Sequence, residues 1–185
     1  PDAAKSWEGG IIKNNFTRRE YKRVFKNLVS VKDPVLQNYM GSKQLQQNFV
    51  INYDGMNQSN SGDAIPPDTD GDVGPDNYFQ MLNLAFQIFD KSGNSLYGPS
   101  ANNTIFNGWD DGQPWDNTND GDPIVLYDEQ ADRWMVSHFS LPSWTGPYYI
   151  LIAYSTTGDP LGSYNRYAFQ FSELPDYPKY GIWND

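Results

Sequence analysis

The sequence predicts a mainly β chain: part of a β-propeller, about two blades and the start of a third, preceded by a short helical N-terminal segment. Three observations predict it. Aromatic residues make up 16% of the 185 residues, with 16 Gly and 13 Pro, the composition of short strands joined by turns. Apolar alternation sets in after residue 60 and is broken at intervals by Gly, Pro, Asn and Asp. Three stretches also begin alike: "GDVGPDNYFQMLN" at Asp72, "GDPIVLYDEQADRW" at Asp122 and "DYPKYGIWND" at Asp176. Each sets an Asp and a Pro or Gly before an apolar run, at spacings of 50 and 54 residues, about one four-stranded blade. Each is expected to open a blade's innermost strand. A stand-alone β-sandwich is the structural alternative.

Residues 1–49 read as a basic N-terminal segment and 50–185 as the propeller-like part. In "NFTRREYKRVFKNLVSV", Tyr21, Val24, Phe25 and Leu28 recur at helical spacing, and Thr17 with Glu20 forms a capping box. The other face carries Arg18, Arg19, Lys22, Arg23 and Lys26, a solvated face or a dock for an acidic partner. "NYFQMLNLAFQIFD" then leads through "DKSGN" to "SLYGP", a hairpin. "DPIVLYDEQADRWMVSHF" reads as strand, four-residue turn, strand. "GPYYILIAYSTTGDPLGSYNRYAFQF" reads as two further strands about a Gly/Pro turn. Since a ring needs roughly four to eight blades, two and a beginning imply a longer parent protein or completion by other chains.

Composition excludes several functions. Without cysteine there are no disulfides, thiolate metal sites or thiol catalysis. No apolar run is long enough for a transmembrane helix. Residues 1–49 hold nine Lys/Arg against four Asp/Glu, whereas 50–185 hold four against nineteen. An acidic body argues against nucleic acid and suits cations or neutral glycans. No phosphate loop, dinucleotide fingerprint or nucleophile elbow is present, and the single histidine, His138, lies in a predicted strand, where it reads as structural. No catalytic residue is assigned.

Two acidic stretches are the candidate sites. In "PPDTDGDVGPDNY", Asp68, Asp70, Asp72 and Asp76 crowd together, and no Lys or Arg lies between residues 44 and 90. An EF-hand does not fit, because its sixth position would be Val73 and its twelfth Phe79. The Asp-x-Asp-Gly-Asp core is closer to a wrapped calcium loop, so calcium is the expected cofactor, with a solvated Asp-rich turn as the alternative. Asp120 and Asp122 extend the candidate metal set. In "GWDDGQPWDNTNDGDP", Trp109 and Trp115 beside Asp110, Asp111 and Asp116 form a candidate sugar-binding platform, since sugar C–H groups pack on aromatic rings while carboxylates accept hydroxyl bonds. The structural alternative is that these tryptophans wedge between blades.

"PPDTDGDVGPDNYFQMLN", "IFDKSGNSLYGP", "DGDPIVLYDEQADRWMVSHF", "IAYSTTGDPLGSYNRYAFQF" and "DYPKYGIWND" together resemble, in unbroken order over residues 50–185, a group of largely uncharacterised secreted bacterial proteins with a sialidase-like β-propeller region. The resemblance implies a secreted or surface-attached protein built with adhesion or sorting modules, and a last motif that continues into another strand. It implies no particular reaction. Sialidase chemistry would need several arginines on the substrate carboxylate, and the β region has only Arg133 and Arg166, which read as structural. The expected role is adhesion, glycan binding or extracellular assembly, with glycans or neighbouring chains as partners. The alternatives are a glycoside hydrolase or lyase using central aspartates, and a structural subunit of an extracellular polymer.

Overall fold

A computed structural model describes the backbone of residues 11–14 and residues 51–110 and 112–183. The chain divides into two units, Pro1–Asn15 with Tyr53–Asp185, and Phe16–Asn52. The predicted helix from Thr17 lies outside the described residues. Within these the protein is mainly β, with short 3-10 turns at Gln58–Ser61, Asn102–Ile105 and Pro114–Asp116.

Two open sheets account for the strands. Strand β1 is Ile11–Asn14, β2 Asp70–Val73, β3 Asn77–Leu82, β4 Ala85–Asp90 and β5 Ser95–Ala101. Strand β6 is Ile124–Asp128, β7 Arg133–Ser140, β8 Tyr148–Ser155 and β9 Tyr164–Phe171. The first sheet is an antiparallel meander in the order β2-β3-β4-β5. The second is the meander β6-β7-β8-β9, with β1 added parallel to β9. The expected strand–turn–strand units of residues 122–171 appear with their turns in place.

The first sheet departs from expectation at two points. "NYFQMLNLAFQIFD" is two strands, because Asn83 and Leu84 make a tight turn between β3 and β4, with Leu84 at φ 73°. The stretch read as an acidic loop contains a strand, β2, so the edge strand of this sheet is "DGDV" and not the apolar run after it. Asp and Gly disfavour strands by composition. Here pairing of Asp70 to Met81 and Val73 to Tyr78 supplies the ladder that propensity does not.

One core joins the two sheets. Phe79, Met81, Phe86 and Ile88 meet Val125, Trp134, Val136, Leu151, Ala153 and Ala168 in a single apolar cluster. Trp134 is its centre. The ring is 0% exposed, lies 5.7 Å from Phe79 and 5.0 Å from Tyr127, and its Nε1–H donates to the Gly158 carbonyl at 3.0 Å. Burying each large side chain of this kind contributes about 1.5–3 kcal/mol.

Gly74, in the β2–β3 turn, is what lets the sheets close onto that ring. A Cβ there would stand 2.7 Å from Trp134 Cζ2 and 3.2 Å from Tyr127 Cδ2. Gly74→Ala is therefore expected to lower stability by about 1–3 kcal/mol through overpacking at the junction between the sheets. A denaturant midpoint equal to that of the parent would show that the turn yields without cost.

Candidate functional site

The acidic residues converge where the two sheets meet. Edge strand β6 is paired to β7 on one side only, and its other edge faces β2. Unpaired edge N–H groups need acceptors, and here the acceptors are carboxylates. The Val125 N–H donates to Asp70 Oδ2 at 3.2 Å and the Tyr127 N–H to Asp72 Oδ2 at 2.8 Å. The second oxygen of each acid is also engaged: Asp70 Oδ1 accepts from the Gly71 N–H and Asp72 Oδ1 from the Val73 N–H.

The same reach is repeated further along. The Tyr177 N–H donates to Asp122 Oδ2 at 2.9 Å, and all three bonds span a sequence separation of 55 residues. The equivalent residues are accordingly not those read from the sequence. Asp68 and Asp122 each stand two residues ahead of an edge strand, at φ 39° and 47°. With Asp176 they recur at 54 and 54 residues, whereas Asp72 lies inside β2.

Asp68, Asp122 and Asp176 are close enough to interact. Burial first, then the Asp68 and Asp176 charges, raise the Asp122 carboxyl above the ordinary range against the lowering effect of the Tyr177 N–H. Asn83 ties the group together. Its Nδ2 donates to Asp68 Oδ2 at 2.6 Å and to the Pro66 carbonyl at 2.8 Å, and its Oδ1 accepts from the Asp122 N–H at 2.8 Å. Gly121, at φ 106°, passes so near that a Cβ would fall on Asn83 Oδ1.

The remaining predicted site residues are dispersed. Asp76 is exposed in the β2–β3 turn. Asp120 Oδ2 accepts from the Leu141 N–H at 2.6 Å, and burial raises its carboxyl. Asp116 fastens its own loop through the Gly108 and Gly112 N–H groups, and Asp110 accepts from Gln113 Nε2. Asp111 lies outside the described residues. Among the described residues, no three acidic or histidine side chains are arranged to hold a metal ion. Trp115 is 1% exposed and sits in the core, T-shaped against Tyr149, with half-buried Trp109 stacked on it at 5.4 Å. The pair wedges into the protein and offers no open Trp115 face to a sugar. The open tryptophans are others: Trp144, 86% exposed in the β7–β8 connection, and Trp183, 85% exposed.

His138 is neither a surface residue nor a hydrogen-bonded one. It is 1% exposed, packs 5.0 Å from the Phe106 ring, and neither ring nitrogen has a partner among the described residues. Burial depresses its pKa to about 3, so the folded protein carries a neutral imidazole. Its alternation within an apolar strand could have signalled burial; the missing partners could not be read from sequence. Comparisons with protein-family models, curated proteins and solved structures give no match for this chain.

These shifts have opposite consequences for stability. An unfolded histidine titrates near 6.5, so the unfolded chain binds a proton that folded His138 refuses. Stability from this residue is complete above about pH 6.5 and falls as pH drops toward 3, at up to about 1.4 kcal/mol per unit. The raised carboxyls of Asp122 and Asp120 act the other way, their contribution present below about pH 3.9 and lost as pH rises past it. His138→Phe is expected to flatten the decline in melting temperature between pH 6.5 and 5. Parallel declines in parent and variant would contradict a buried neutral imidazole.

Proposed function

We propose that residues 50–185 are part of the β-propeller of a secreted or cell-surface protein that acts by binding, in adhesion or glycan recognition. The observation that carries the propeller is the repeated forward reach of Asp70, Asp72 and Asp122 to backbone N–H groups 55 residues on. It ties one four-stranded meander to the edge strand of the next, and Asp122, the counterpart of Asp68, makes a further bond of the same span to Tyr177. The resemblance to secreted bacterial proteins with sialidase-like propellers supports the extracellular setting.

Binding is favoured over hydrolysis by the spacing of the acids. Paired glycosidase carboxylates stand roughly 5–9.5 Å apart, with room for a water or an anomeric carbon between them. Asp68 and Asp122 approach to hydrogen-bonding range, and Asp70 and Asp72 have both oxygens occupied by N–H donors.

For glycan recognition the surface that fits is Trp144. Its carbonyl accepts from the Tyr148 hydroxyl at 2.7 Å, and Ser143 Oγ donates to the Gly146 carbonyl at 2.8 Å. The turn is fastened while the indole faces stay in water, which is what C–H stacking by a sugar requires. On a glycan array, Trp144→Ala is expected to weaken the strongest signals about tenfold with no change in melting temperature. Unchanged binding would remove Trp144 from the reading, and self-assembly of the chain without glycan affinity would favour a structural subunit. Calcium belongs to the same proposal as an additional staple. Its support is the Asp-x-Asp-Gly-Asp sequence at residues 68–72, and a melting temperature that stays level between chelator and millimolar calcium would remove it.

A further inference from the structure

A cleft of about 330 Å³ opens between the first sheet and the β8–β9 turn, away from the acidic group. Its walls include Phe79, Phe86, Ile88, Tyr97 and Leu161, and among the described residues no Asp or Glu lines it. Its single formal charge is Arg166, on β9. Residues 50–185 contain nineteen acids against four bases, Arg166 among them, yet its Nε lies buried with no hydrogen-bond partner among the described residues. A desolvated guanidinium N–H without an acceptor costs about 1–3 kcal/mol or more. The nearby acid, Asp159, is turned to its own loop, where Oδ1 accepts from the Leu161 N–H at 2.9 Å.

We propose that this cleft is a binding site for a small organic carboxylate, which lays an aromatic or branched apolar body between the Phe86 and Leu161 walls and sets its carboxylate on Arg166. Three features fit that occupant. The charge is complementary and otherwise unanswered in the cleft, and arginine presents a fork that matches a carboxylate. The volume is within the range of small-molecule sites. The mouth is apolar and open, with Leu96, Tyr97 and Leu161 exposed by 45, 42 and 48%. The β8–β9 wall is fixed by the Tyr164 hydroxyl, which donates to the Pro160 carbonyl at 2.7 Å. A hydroxyl-rich sugar acid does not suit the site, because its hydroxyls would be stripped of water against phenyl and aliphatic walls. Glycan recognition at Trp144 is a separate matter, and neither proposal depends on the other.

The test is calorimetric titration of the full chain with 2-naphthoate, its neutral analogue 2-naphthamide, and glucuronate, a carboxylate with no apolar body. Naphthoate is expected to bind at least about tenfold more tightly than the amide, and glucuronate more weakly than either. Arg166→Gln should bring naphthoate down to the level of the amide. Leu96→Glu, at the exposed mouth, should weaken naphthoate more than the amide while leaving the fold intact, and so serves if the Arg166 variant does not fold. Trp144→Ala should leave naphthoate affinity unchanged. Equal affinity for acid and amide, naphthoate binding that survives Arg166→Gln, or no naphthoate binding at millimolar concentration would each overturn the proposal.

Discussion

The junction of the two sheets rests on carboxylates accepting hydrogen bonds from main-chain N–H groups. An edge strand such as β6 would otherwise turn unpaired amides toward a neighbouring sheet, in a partly buried setting. Asp70 and Asp72 reach across and accept from Val125 and Tyr127. A charged acceptor makes such a bond roughly twice as strong as a neutral one, and each acid uses its other oxygen on its own strand. The junction is closed on its apolar side by Trp134 under Gly74. Polar and apolar contacts therefore fix the same register, and neither is free to slide without the other.

This arrangement accounts for a composition that looks unbalanced. In the acidic stretch from Asp68 to Asp76, which has no lysine or arginine near it in sequence, Asp68, Asp70 and Asp72 accept hydrogen bonds from amide N–H groups. At Asp122 burial first, and then the Asp68 and Asp176 charges, raise the carboxyl. His138 is the counterpart in the apolar interior: an imidazole kept neutral by burial alone. The protein thus loses stability from different groups in the acid and neutral ranges. Arg166 is the converse case, a cation in an apolar cleft with no acid among the described residues answering its Nε.

Much of the β architecture was legible in the sequence. Apolar alternation marked β6 to β9 and their turns, because each of those strands has a face in the core. Two features were not legible, for different physical reasons. Strand β2 is Asp- and Gly-rich, and only its pairing with β3 and its reach to β6 make it a strand. The turn at Asn83 lies inside a continuous apolar run, where nothing but the Asn itself hints that its side chain will bridge Pro66, Asp68 and Asp122. The sequence pattern aligns Asp72 with Asp122 and Asp176, since "GD" matches better than the less obvious "PD", whereas the residue that stands two ahead of its edge strand, as Asp122 does, is Asp68. The polar neighbours of Trp115 suit an exposed platform, yet the loop around it folds so that Asp116 holds the backbone and the ring goes inward.

The central claim is that edge amides of β6 are held by side chains of β2. Hydrogen exchange at Val125, Tyr127 and Tyr177 measures this directly, with Asp72→Ala as the internal control. The expected result is slow exchange at all three amides in the parent, although no strand pairs with them there, and selective loss of protection at Tyr127 in the variant. Exchange of Val125 and Tyr127 at the rate of free peptide amides would contradict the account.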